Sequence, residues 1–116
     1  MEGSSQPQQV IKNISTEEAF ELLQKHKNDE DLVILDVRTL QEFSEEHMED
    51  AIHIDYHASD FENQLDQLEK EKKYLIYCAS GGRGNKAMKI MKKKGFREVY
   101  NIEGGYILWC IKILKK

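Results

Sequence analysis

The chain reads as an α/β domain: a central, mainly parallel sheet of about five strands with helices on both faces. Three observations carry this. Short leucine and β-branched runs alternate with helix-capping signals along the chain. Two of those runs, residues 32–37 (LVILDV) and 74–78 (YLIYC), are almost continuously apolar, as expected of strands covered on both faces. A length of 116 residues with 40% hydrophobic side chains supplies one core, not two.

Residues 1–9 (MEGSSQPQQ) hold the one Pro and no apolar side chain after Met1, so they are expected to be a disordered lead to a domain of residues 10–116. Residues 10–14 are of strand type. Ser15 with Glu18 forms a capping box that opens a helix whose buried face is Ala19, Phe20, Leu22 and Leu23. Residues 28–31 break it, and residues 32–37 form a central strand. Thr39 and Glu42 make a second capping box for a short helix through Glu46, followed by a brief strand at 51–54. Ser59 and Glu62 repeat the signature ahead of Leu65 and Leu68. Residues 74–78 are the fourth strand and residues 79–84 (ASGGRG) a glycine-rich loop. The helix over 85–94 buries Ala87, Met88, Ile90 and Met91 and stops at Gly95. Residues 99–102 give the last strand and Gly104 and Gly105 a turn. A closing helix over 106–116 is expected to bury Ile107, Leu108, Cys110, Ile111 and Leu114.

Composition excludes several classes. The longest uninterrupted apolar run, residues 106–111, is far short of the ~20 residues that span a bilayer, and the amino end has no apolar signal region. A cytoplasmic protein with no membrane partner is expected. Two cysteines, Cys78 and Cys110, are too few for a disulfide framework and lack zinc-binding spacing, and His26, His53 and His57 add no ligand pattern, so neither metal nor cofactor is expected. The net charge of -4 argues against a nucleic-acid partner, but it conceals a segregation. Residues 1–35 hold 3 basic and 7 acidic side chains, 36–71 hold 2 and 12, and 72–116 hold 12 and 2. The last third is therefore where an anion is attracted.

Cys78 stands in that third, at the carboxyl end of a strand, where open sheets bind their ligands. Three glycines follow in the loop Ala79, Ser80, Gly81, Gly82, Arg83, Gly84. Glycines let consecutive N–H groups converge on one point, and the next helix adds its positive end, so an anion over Cys78 is stabilised. The sulfur itself is the anion in question, because such surroundings favour the nucleophilic thiolate over the thiol. Cys110, on an apolar helix face, reads instead as a small core hydrophobe. Lys86, Lys89 and Lys93 share one face of the helix after the loop and read first as a solvated face.

The segment Cys78-Ala79-Ser80-Gly81-Gly82-Arg83-Gly84 resembles the active-site loop of single-domain rhodaneses, C-x-x-G-x-R. Other marks stand in the family order: Asp36-Val37-Arg38 with Glu42-Phe43, then residues 46–54, then Gly104-Gly105-Tyr106 with Trp109. The likeness covers roughly residues 10–114. It implies a rhodanese-like three-layer sandwich and a sulfurtransferase. In that reading Cys78 takes the outer sulfur of a small anionic donor such as thiosulfate, or of a protein persulfide, and passes it to a thiol or cyanide acceptor. The loop N–H groups would hold the persulfide, and Asp36, Arg38 and Glu42 would support it. Arg83 either recruits the anionic donor or turns away to pair with Asp36 or Glu42 and brace the loop. His47 reads as structural, while Trp109 packs the fold and could also wall the pocket.

The chain departs from the family pattern at Gly84, where Ser or Thr is common, at Asp50 and Glu46, where Gly is usual, and at Ala79 and Ser80, which are not basic. The last departure favours a protein persulfide over thiosulfate as donor. Rival readings are a non-turnover sulfur-carrier or protein-binding module and, further off, a cysteine phosphatase or arsenate reductase. Between Cys78 and Arg83 stand four residues, one short of the phosphatase loop, and Tyr77 rather than His precedes the cysteine.

Overall fold

A computed structural model describes residues 8–116, so most of the expected disordered lead lies outside the described residues. Gln9, the last residue of that lead, is tied down: its side-chain amide donates to Lys92 O and Phe96 O at 2.9 and 2.8 Å. Five parallel strands form one sheet in the order β1-β5-β4-β2-β3, with β1 Val10–Ile14, β2 Leu32–Asp36, β3 Ile52–His53, β4 Lys73–Tyr77 and β5 Glu98–Ile102. Between them run α1 Thr16–Lys25, α2 Leu40–Glu45, α3 Phe61–Leu65 and α4 Gly82–Lys93, and α5 Gly105–Trp109 continues into a π-helical segment, Cys110–Leu114.

Strand alternation divides the core between two sheet faces, giving the expected three layers. Tyr74 and Ile76 of β4, with Cys78 just beyond its end, point to one face and pack with Phe61, Leu65, Met88 and Met91 of α3 and α4. Leu75 and Tyr77 point to the other, against Ala19, Tyr106 and Trp109 of α1 and α5. The capping boxes at Ser15/Glu18 and Thr39/Glu42 both form.

Several expectations are corrected. The helix after the loop starts at Gly82, not Asn85, because the αL turn at Gly81 (φ 109°) lets the chain enter helical geometry three residues earlier. The third capping box is absent: Asp60, not Ser59, stands at the N-cap of α3 and makes no capping bond, its carboxylate accepting instead from Gln64 Nε2 at 2.7 Å. Phe20 is exposed, since Ala19, Leu22 and Leu23 already form the inward stripe of α1.

The closing helix carries two apolar stripes; the expectation holds for Cys110, which packs against the core, and for the half-buried Leu108, and fails for Ile107, Ile111 and Leu114. Ile107, Ile111 and Leu114 face outward, whereas Tyr106 and Trp109 are buried with Cys110 and Ile113 beside them. The phase is set from outside the helix. Its first N–H groups are pinned to the Cys78 loop, Tyr106 N to Cys78 O at 2.8 Å and Ile107 N to Ala79 O at 3.0 Å, and this turns the stripe of Tyr106 toward the sheet.

Candidate active site

Cys78 follows the last residue of β4 and is only 1% exposed. Its Sγ accepts two backbone hydrogen bonds, from Gly81 N at 3.0 Å and Gly84 N at 3.2 Å. Gly81 can aim its N–H at the sulfur because it holds φ 109°, a conformation L side chains rarely adopt. The carbonyls of Cys78 and Ala79 face the other way, into the first N–H groups of α5. Gly105 makes that approach possible, since a β-carbon there would lie 2.4 Å from Cys78 O and 2.5 Å from Ala79 O. Two helix starts thus sort the loop's polarity: acceptors are consumed behind the cysteine, and donors converge on its sulfur. Ser80 and Gly82 are exposed at the mouth.

Arg83, in the first turn of α4, is paired with a carboxylate. Nη1 and Nη2 donate to Glu42 Oε1 and Oε2 at 2.9 and 3.1 Å, a bidentate pair. Of the two arrangements open to Arg83, the structure shows pairing with Glu42. The guanidinium, and after it the backbone and hydroxyl donors of Thr39, hold the Glu42 carboxyl down at about 2.

Asp36 and Arg38 lie apart from the sulfur. Asp36 is fully buried and Arg38 nearly so, with Nε donating to Oδ1 and Oδ2 at 3.0 and 3.1 Å and Nη2 to Oδ2 at 2.7 Å. The guanidinium also donates to Glu46 O at 2.6 Å and lies over the rings of Tyr106 and Tyr77, on the sheet face opposite Cys78. The pair therefore locks the chain leaving β2 rather than contacting the loop. His47 binds Phe43 O through Nδ1 at 2.7 Å and stacks on the Phe43 ring. Trp109 packs near Phe20 in the core of the opposite face, so it does not wall the cysteine loop. A groove of about 1050 Å³ lined by Phe20, Met48, Trp109 and Ile113 also excludes Cys78.

Sequence reasoning missed one group. Asn101 of β5 is buried and donates through Nδ2 to Gly81 O at 3.2 Å and to Asn13 Oδ1 at 2.9 Å. The available signal was an asparagine inside each of two strands, where that residue is disfavoured. Asn101 also accounts for the departure at Gly84: a β-carbon there would stand 2.1 Å from Asn101 Oδ1. Lys86, Lys89 and Lys93 are exposed. Among the described residues no cluster of three or more His, Cys, Asp or Glu could hold a metal, and no helix is long and apolar enough to cross a membrane.

Comparison with known proteins agrees with this fold. The family model described as a rhodanese-like domain matches residues 19–112. The chain is 35% identical over 100 residues to the thiosulfate sulfurtransferase GlpE of Coxiella burnetii, covering 86% of this chain and 88% of that protein. It is 37% identical over 111 residues to the putative sulfur carrier protein YrkF of Bacillus subtilis, covering 96% of this chain but 57% of YrkF. Among solved structures, a rhodanese-like domain protein from Staphylococcus aureus superposes with a TM-score of 0.71 at 29% identity, over 85% of this chain and 91% of that one.

Proposed function

The chain belongs to the rhodanese-like domain family, and from that membership and the cradle around its sulfur we propose a sulfurtransferase whose working group is Cys78. The observation that carries the mechanism is that both hydrogen bonds to Sγ come from backbone N–H groups. In the first step the Cys78 thiolate attacks the outer sulfur of a donor. With thiosulfate a new S–S bond forms, the old one breaks, and sulfite leaves with the electron pair. The resulting persulfide ends in an anionic sulfur, which fixed N–H donors stabilise without a proton transfer. In the second step an acceptor thiolate, or cyanide, attacks that outer sulfur, and the Cys78 thiolate leaves.

Arg83 is committed to Glu42, so anionic donors are recruited by the backbone cradle and the basic last third of the chain rather than by a free guanidinium beside the sulfur. That favours a protein persulfide as donor. It also weighs against phosphoryl chemistry, which needs an arginine free to clamp the oxyanion. A carrier that keeps its sulfur until a partner docks uses the same cradle, and the likeness to YrkF supports it as the second reading. Either role needs Cys78 reduced, and both cysteines are free, which suits the cytoplasm.

The test is intact-protein mass spectrometry after incubation with thiosulfate or a low-molecular-weight persulfide. The native protein should gain one sulfur, lose it on addition of cyanide, and show no gain as Cys78→Ser. Absence of any gain with either donor removes the persulfide mechanism; gain without turnover to cyanide or thiols selects the carrier.

A further inference from the structure

Glycine-rich loops aim their donors well only if something outside the glycines holds them, because a residue without a β-carbon moves freely between backbone conformations. Gly81 and Gly84 supply the two N–H groups at Cys78 Sγ. One side chain touches both. Asn101 Nδ2 spends its two hydrogens on Asn13 Oδ1, 2.9 Å, and Gly81 O, 3.2 Å. Its Oδ1 is buried without a partner and stands where a β-carbon of residue 84 would be, 2.1 Å from that position.

The orientation of this amide is fixed. Asn13 is the register partner of Asn101 on the neighbouring strand, and its own Nδ2 donates to Asn85 Oδ1 at 3.3 Å, leaving Asn13 Oδ1 to accept. Both oxygens facing Asn101 Nδ2 are thus acceptors, and a flipped amide would meet them with a third. The relay joins β1, β5 and α4 to the loop. An orphan amide oxygen in the interior is costly, and an apolar residue of similar size would avoid that cost. The amide is therefore poorly explained by stability alone.

We propose that Asn101 is a positioning residue for the sulfur cradle. The Gly81 carbonyl accepts the Asn85 N–H of α4 at 2.9 Å; by adding a second hydrogen bond from the sheet side, Asn101 fixes the left-handed turn that points the Gly81 N–H at Cys78 Sγ, and by filling the space beside Gly84 it keeps that residue's backbone against the sulfur. The inference rests on the reading of Cys78 as the reactive sulfur.

The test measures two rates at neutral pH, alkylation of Cys78 by iodoacetamide and loading of sulfur from a persulfide donor, alongside the melting temperature. Asn101→Leu keeps the volume and removes the orphan oxygen, so it should melt close to the native protein while both rates fall about tenfold, the effect of one misdirected charge-assisted hydrogen bond. Asn13→Ala, at an exposed position that leaves the fold intact, frees the amide to rotate and should slow both rates about threefold, a fraction of that hydrogen bond. Val99→Ala, two residues away on the same strand face, should lower the melting temperature and leave both rates near native. Native rates in Asn101→Leu, or in Asn13→Ala if the first variant does not fold, overturn the proposal. So does an equal slowing in Val99→Ala, which would reduce the effect to general loosening. Native Cys78 that alkylates no faster than Cys110 sinks the underlying reading of Cys78; fast native alkylation with unchanged variants sinks only the role of Asn101.

Discussion

The guanidinium of Arg83 and the carboxylate of Glu42 meet side to side, with both oxygens bonded at 2.9 and 3.1 Å, and so join the first turn of α4 to the first turn of α2. Glu42 is also the N3 partner of the Thr39 capping box, so one carboxylate closes a helix and braces the sulfur loop.

This pair sets a pH dependence. With its pKa drawn from 4.5 to about 2, Glu42 stabilises the fold fully above its ordinary value, and that contribution fades as the pH falls toward 2. The shift alone corresponds to about 3 kcal/mol, and screening of a partly exposed pair reduces the expected effect to about 1–2 kcal/mol. Urea melts of native protein and Glu42→Gln should differ by that amount at pH 7, and the gap should shrink below pH 4.5 and close only toward pH 2. A gap independent of pH would contradict the ion pair.

Arg83→Ala should lower the melting temperature by several degrees, the scale of ~1 kcal/mol in a domain of this size, and change the KM for thiosulfate little. A large rise in KM with an unchanged melting temperature would mean that Arg83 leaves Glu42 to bind the donor.

Two glycines predict opposite responses to alanine. Gly105 has φ 58° and backbone oxygens 2.4 and 2.5 Å from the position of a β-carbon, so Gly105→Ala should destabilise by about 2–4 kcal/mol from overpacking and backbone strain. Gly82 has nothing within 4 Å and starts a helix, so Gly82→Ala should be neutral or stabilise by up to about 1 kcal/mol. Paired denaturation curves decide it.

Gly84→Ala places a methyl group 2.1 Å from Asn101 Oδ1. It should cost about 1–3 kcal/mol and slow sulfur loading by displacing the N–H at Cys78 Sγ. Calorimetry together with the mass-spectrometric loading rate reads both.

Arg38→Ala leaves the fully buried Asp36 carboxyl without its bidentate partner. The expected loss is about 3–5 kcal/mol, larger than for Arg83→Ala because the orphaned carboxyl is buried where solvent cannot replace its partner. Equal losses in the two variants would show that burial does not govern these pairs.

By itself the sequence determined whatever depends on local order. Apolar runs at 32–37 and 74–78 specify buried strands, Ser15/Glu18 and Thr39/Glu42 specify helix starts, and a cysteine followed by three glycines at a strand end specifies a sulfur cradle, because each signal is complete within about seven residues. Tertiary structure decided everything that depends on what comes alongside. It paired Arg83 with Glu42, 41 positions away, while Asp36 is held by Arg38, only two residues on. It turned the Tyr106 stripe of the last helix inward by pinning its first N–H groups to Cys78 O and Ala79 O, a choice that two equally periodic apolar stripes leave open. It placed Asn101 behind the loop through the parallel register of β1 and β5, which joins residues 88 apart. Hydrophobic period and capping chemistry are written along the chain. The partner of a charge and the phase of a helix are settled only when strands distant in sequence lie side by side.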